Sequence, residues 1–399
     1  MGRVTREKLA QAASLAAELG IDVWMTFVRE TAGAGDPALP LILEGGLTWQ
    51  SALLVGANGR KVAVVGNYDA DPLLASGDWD EVIPYVESVR LALLGALAGF
   101  RPSDGRTRIA VNYSLSDDKA DGLTHGMFLL LQDVLAGTEF EGGVESAEPL
   151  LTRLRGQKTP EELRRIRSAI KEGDLIFAEV PAIARLGMSE RALYDQIQRR
   201  MDERGLGYAW DRAGDPIVNF GPDSMIGHGI PSAEIGLAVG QVLHIDLGVI
   251  KDGYASDVQR CWYVGEPVPD EVRRALDAVN AAIDAGAALL RPGSIGHEVD
   301  AAARRTIVER GYPEYRHALG HQVGRMAHDG GALLGPAWDR YGQSPFMPAR
   351  VGEVYTLELG VTVAERGYVG VEEMVEVTAD GCRFLTERQL TMPTLPVRT

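Results

Sequence analysis

The stretch 240-GQVLHIDLGVIKDGYASDVQRCWYVG-265 limits what this chain can fold into more than any other. Asp252-Gly253 at its centre is a strong signal for a two-residue hairpin turn. Pairing outward from that turn sets Lys251 opposite Tyr254, Gly248 opposite Asp257, and Asp246 opposite Gln259. Side chains alternate with period two, so Asp246 and Asp257 share a face as diagonal neighbours, roughly 7 Å apart between backbones. Two like charges so placed repel each other, and a cation between them reverses the sign of that cost. Val242, Ile245, Leu247 and Val249 make the strand too apolar for a solvated edge.

A second hairpin repeats the theme. Glu358 sits in 354-VYTLELG-360 and Glu372 in 368-YVGVEEMVEV-377. A three-residue loop Glu365-Arg366-Gly367 pairs Glu358 with Met374 and puts Glu372 on the same face, whereas a two-residue loop puts the glutamates on opposite faces. The sequence leaves that choice open. Between the hairpins, 316-RHALGHQVGRMAHD-329 holds His317, His321 and His328, three of only seven histidines in the chain. Four carboxylates and an imidazole are a hard, oxygen-rich donor set. Such a set favours Mn²⁺, with Co²⁺ or Zn²⁺ possible, over a thiolate-loving site, and it is enough for two ions.

The remaining text divides near 155–160. The first 155 residues alternate helical and strand patterns: a helix over 4–19, strands in 22-DVWMTF-27, 51-SALLVGANGRKVAVVG-66 and 108-RIAVNY-113, and a packed helix for His125 in 125-HGMFLLLQDVLAG-137. They contain no phosphate loop or metal motif. Residues 156–399 open with 159-TPEELRRIRSAIKEGD-174, where Thr159 caps, Pro160 suits the first helical position and Glu162 completes a capping box. A second helix ends near Arg204-Gly205, and a helical stretch over about 270–310 separates the hairpins. Helices beside mainly antiparallel strands make an α+β domain.

Composition bounds the function. Fifty-six acidic against 40 basic residues give a net charge of −16, which argues against nucleic acid or an anionic membrane as partner. The longest apolar run, 91-LALLGALAGF-100, is about half a membrane span. Cys261 and Cys382 form no CxxC pattern, so a disulfide framework is not expected and a reducing cytoplasm fits.

With these residues assembled, the chain resembles the pita-bread metallopeptidases: prolidase, aminopeptidase P and methionyl aminopeptidase. The motif runs through 240–265, 316–329 and 352–378 in the family's order. The resemblance implies a pita-bread catalytic domain over 156–399, a two-fold pseudo-symmetric curved antiparallel sheet covered by helices. It also implies a smaller creatinase-like α/β domain over 1–155. Carried over by position, Asp246 binds one of two divalent ions, Asp257 bridges both, His321 and Glu358 bind the other, and Glu372 bridges. His328, His317, and His228 in 227-GHGIP-231 match positions around the substrate, while His244 is structural and His297 lies at the surface. The implied chemistry is hydrolysis of an Xaa-Pro bond by a metal-bridging hydroxide, with Glu358 moving the proton and His328 and His228 donating to the developing oxyanion. A homodimer is expected of such proteins.

The chain departs from the family's habit at Leu359, where proline is usual, at Thr362, where tyrosine is usual, at Gly370, usually arginine, and at Gln259, usually threonine. Creatinase lacks the metals and methionyl aminopeptidase lacks the first domain, which leaves a dipeptidase (prolidase), aminopeptidase P acting on longer peptides, or a non-catalytic binding module. A dipeptidase must hold a free carboxylate, for which Arg325, between His321 and His328, is the candidate.

Overall fold

The computed structural model describes residues 2–33, 35–227 and 229–396. The chain forms two compact units, Met1–Arg155 and Gly156–Thr399.

The first unit is built on strands β1 (Val23–Val28), β2 (Ser51–Gly56), β3 (Lys61–Gly66), β4 (Glu81–Tyr85), β5 (Ile109–Val111) and β6 (Val144–Ser146). They form one mixed sheet in the order β4-β3-β2-β1-β5-β6. Its inner strands are unbroken apolar runs because both faces are covered. Trp24 and Val28 of β1 pack on one side with Leu9, Leu15 and Ala16 of α1 (Arg3–Leu19), while Val23, Met25 and Phe27 pack on the other. The partners on that other side include Leu93 and Leu97 of a helix over Val89–Leu97, and Leu131 of a helix over His125–Leu135. His125 is the first residue of its helix and is exposed. This is the helix-on-both-faces α/β layering that the resemblance implies.

The second unit opens with α2 (Pro160–Ile183). Its predicted capping box is present: Glu162 N donates to Thr159 Oγ1 over 3.4 Å, and Thr159 N donates to Glu162 Oε2 over 2.8 Å. The helix α3 (Glu190–Glu203) follows, then two helices that cover the sheets, α4 (Asp270–Leu289) and α5 (Gly296–Glu309). Strands β7 (Gly207–Tyr208), β8 (Ile217–Phe220), β9 (Val242–Leu247), β10 (Val249–Lys251), β11 (Tyr254–Ala255) and β12 (Val258–Val264) carry the first hairpin. The second hairpin is β13 (Val354–Val363) and β14 (Gly367–Val377), extended by β15 (Cys382–Phe384), and β16 (Thr394–Leu395) lies beside β12. The sheets run β16-β12-β9-β8, β13-β14-β15 and β11-β10-β7, antiparallel except for β12 with β16.

The first hairpin has the predicted register, with Lys251 opposite Tyr254 and Asp246 opposite Gln259. The second does not pair Glu358 with Met374. Glu358 stands directly opposite Glu372, and Val363 opposite Gly367 around the loop Ala364-Glu365-Arg366. The loop has three residues but starts one position earlier than expected, which moves the register by two and preserves the shared face. Gly367 is the reason. Its φ is +116°, and a Cβ there would lie 2.7 Å from the carbonyl oxygen of Gly221, so this glycine belongs to strand packing and not to the turn.

Alternation sorts β13 and β14 cleanly. Leu357, Leu359, Val361, Val369, Val371 and Val375 join the core under Leu276, Val279 and Ile283 of α4. Glu358, Gly360, Tyr368, Gly370 and Glu372 take the opposite face by period. That face carries the site.

Candidate metal centre

Each hairpin delivers a pair of side chains at directly opposed positions, Asp246 with Gln259 and Glu358 with Glu372, and Asp257 follows β11. His321 enters from the segment before β13, where Thr356 N donates to its carbonyl over 2.9 Å. Atoms of Asp257, His321 and Glu372 lie within 4.8 Å of one another. His321 Nε2 is 3.6 Å from Asp257 Oδ2 and 3.6 Å from Glu358 Oε1. Those separations are too long for hydrogen bonds and short enough for an ion that binds each atom at about 2.1 Å. The structure therefore gathers Asp246, Asp257, His321, Glu358 and Glu372, the five sequence-derived ligand candidates, into one cluster.

Electrostatics shows what the cluster lacks. Burial, above all, raises Asp246 to about 7 and Glu358 to about 8. Asp257 and Glu372 stand well above the usual carboxylate range, from burial first and then from neighbouring carboxylates. Buried charge of one sign is costly without a counter-ion. Asp246 Oδ1 and Glu372 Oε2 are also buried without a hydrogen-bond partner among the described residues. Orphaned carboxylate oxygens aimed into an acidic cluster are what a divalent cation satisfies.

His321 is in the form a metal needs. Its Nδ1 lies 3.0 Å from the Ala327 carbonyl, an acceptor, so Nδ1 carries the hydrogen and Nε2 presents its lone pair to the carboxylates. Burial, then the nearby His328, lowers its pKa to about 3, which keeps the ring neutral. His328 is exposed, its ring centroid 4.2 Å from that of His321. The loop that carries both is closed by Asp329 N donating to the Gln322 carbonyl over 2.9 Å, and Lys158 binds Asp329 over 3.2 Å.

The remaining sequence-derived candidates are not among the residues gathered at His321. His317 is exposed and packs edge-on against Tyr315 at 5.4 Å. The Arg325 guanidinium sits over the Tyr254 ring at 5.3 Å and against Gly253 of the first hairpin turn. His228 lies outside the described residues. His297 is partly buried against Phe346.

Sequence reasoning set Gln259 opposite Asp246 but gave it no role beside the ligands. Gln259 Nε2 donates to Asp246 Oδ2 over 3.3 Å and to Glu358 Oε2 over 3.1 Å. Its Oε1 is 3.0 Å from His244 Nε2, whose Nδ1 is 3.0 Å from Asn219 Oδ1. Burial lowers His244 to about 4. Tyr368 packs edge-on against His244 at 5.0 Å and stands across the ladder from Thr362. The signal available in the sequence was period two: 368, 370 and 372 share a face.

A sheet pair presenting acidic ligands on one face and helices on the other defines a metallopeptidase of the pita-bread class. Residues 164–379 match the model of metallopeptidase family M24. The chain belongs to that family and is an enzyme. It is 27% identical over 280 residues to an Xaa-Pro dipeptidase of Lactobacillus helveticus, covering 70% of this chain and 72% of that one. The fold is shared with dipeptidase PepE from Mycobacterium ulcerans (24% identity, TM-score 0.71, 99% and 98% of the two chains). It is shared equally with an X-Pro aminopeptidase from Thermotoga maritima (23% identity, TM-score 0.69, 98% and 99%). Membership implies divalent metal ions, and the donor set fits them.

Proposed function

We propose that this protein is a two-metal Xaa-Pro dipeptidase, with Mn²⁺ the preferred ion. The observation that carries the reading is the gathering of Asp257, His321 and Glu372, with Glu358 3.6 Å from His321 and Asp246 joined to Glu358 through Gln259, and with buried oxygens left unpartnered. Similarity to the Lactobacillus dipeptidase supports the substrate class. In this reading Asp246 would hold one ion and His321 with Glu358 the second, with Asp257 and Glu372 shared between the two. Bound ions would supply a Lewis acid for the scissile carbonyl and acidify water.

The chain's own residues do the rest. Glu358 takes the proton of the attacking water as its oxygen bonds to the carbonyl carbon, then delivers that proton to the prolyl nitrogen as the C–N bond breaks. His328, more exposed than His321 and beside it, donates to the carbonyl oxygen as charge builds there, with His228 as a second donor. His317 takes an outer contact with the substrate through the edge it shares with Tyr315. The first unit, residues 1–155, is a creatinase-like domain, and the second, 156–399, is the catalytic domain of a cytoplasmic homodimer.

One observation favours a second reading, aminopeptidase P. Arg325 is the sequence-derived grip for a dipeptide's free carboxylate, yet its guanidinium lies on Tyr254 and at the turn. Metal analysis, with hydrolysis of Ala-Pro, Ala-Pro-NH₂ and a longer Xaa-Pro peptide, separates the two. A dipeptidase cleaves Ala-Pro best, and Arg325→Met raises its KM for Ala-Pro far more than for the amide. Efficient cleavage of the long peptide, or equal losses on both short ones, selects aminopeptidase P. Absence of bound metal and of hydrolysis overturns both.

A further inference from the structure

We infer that Gln259 is a positioning residue that fixes the spacing between Asp246 and Glu358, carboxylates delivered by different hairpins. The inference rests on the ligand assignment proposed above. A side-chain amide has two N–H donors at one end and an acceptor at the other. Gln259 spends both donors on the cluster, one on Asp246 and one on Glu358, at 3.3 and 3.1 Å. Its oxygen is turned away towards His244 Nε2 at 3.0 Å, and the single N–H of the neutral imidazole, placed on Nε2, donates to it. The amide is therefore oriented at both ends, and Gln259 itself is 7% exposed.

The space for this arrangement is made by a missing side chain. A Cβ on Gly370 would lie 3.0 Å from Gln259 Oε1, 2.9 Å from His244 Nε2 and 2.4 Å from Tyr368 Cε1. Gly370 is thus the counterpart of Gln259, since any larger residue pushes on both ends of the amide's support. Its φ is not positive, so alanine there tests the space and not the backbone conformation. The amide is neutral, so it leaves the cluster's net charge to the metal, while its N–H groups favour the ionised carboxylates and align them. Partners that orient ligands in this way typically change metal affinity by about 10–100-fold when removed.

The test is calorimetric titration of MnCl₂ into the chelator-dialysed full-length protein, with the metal-free Tm measured alongside. Gln259→Met keeps the size and removes the donors, while Gly370→Ala keeps the donors and displaces them. Both should weaken Mn²⁺ binding by about 10–100-fold; the metal-free Tm should hold in Gln259→Met and fall in Gly370→Ala, whose new Cβ crowds the Tyr368 ring. Affinities within about twofold of the parent in whichever variant folds overturn the inference, as does a fall in metal-free Tm with Mn²⁺ affinity unchanged. If the parent protein takes up no Mn²⁺, the ligand assignment itself fails and takes this inference with it. If the parent binds and the variants bind equally, only the inference fails.

Discussion

His321 has one nitrogen committed to the Ala327 carbonyl and one left for a metal, whereas His328 sits beside it in a more exposed position. The proposed ligand set and that difference give one prediction each. Asp257→Ala or Glu372→Ala should abolish hydrolysis and deplete metal, read by elemental analysis, because each removes a carboxylate assigned to both ions. Full activity in Asp257→Ala would sink the assignment. His328→Ala should keep its metal and lose kcat by on the order of 10²-fold, the usual size for one lost transition-state donor. Metal loss in that variant, with metal kept in His321→Ala, would mean the roles are exchanged. The candidate ligands were readable one at a time, since acidic residues on apolar strands are conspicuous. The surroundings were not: the place of Tyr368 depends on the absence of side chains at Gly360 and Gly370, where a Cβ would approach its ring to 2.3 and 2.4 Å.

Among the elements, the two hairpins show where sequence stops determining register. Asp252-Gly253 is a turn signal placed in its turn, Asp252 and Gly253 both at positive φ, and counting outward from it succeeds. In the second hairpin the glycine marks a close approach to Gly221 and the left-handed loop residue is Glu365, φ +60°, which nothing in its identity announces. Capping was legible because it is local. Thr159→Ala should lower unfolding free energy by about 1 kcal/mol, read by denaturant titration. Glu162→Ala should cost more, about 1–3 kcal/mol beyond the cap. It also strips the buried Tyr254 hydroxyl of the carboxylate it donates to over 3.0 Å. Equal effects of the two substitutions would show that the Tyr254 contact contributes nothing.

At the scale of the molecule, the acidic cluster couples stability to metal and to pH. Without metal, Asp246 and Glu358 hold protons up to about 7 and 8, so the native state binds more protons than the unfolded chain. Stability from such groups is fully present below their unfolded values, near 4, and is lost as pH rises through 7 to 8. Metal replaces those protons, and binding to the native state alone adds about 2.7 kcal/mol at a hundredfold excess over Kd. The Tm gap between Mn²⁺-loaded and chelated protein should therefore widen from pH 6 to pH 9. A gap constant over that range would show that the carboxyls do not exchange protons for metal. The helix-start signals at Thr159-Pro160, legible because they are local, lie just inside the second compact unit. Which strands adjoin within each sheet was not legible, because neighbours such as β12 and β16 pair Tyr263 and Val264 with Thr394 and Leu395, far apart in sequence.

The closed loop from Gln322 to Asp329 has a bearing on how such an enzyme can diverge. One backbone bond fixes its length, and the rings on its two flanks, His321 and His328, are side by side only at that length. Inserting or deleting a single residue at exposed Met326 would shift His321 and His328, the proposed ligand and the proposed donor, relative to each other. Descendants of this chain can therefore vary exposed Met326, but not the loop's length and not Gly324, where a Cβ would lie 2.1 Å from Asp329 Oδ2.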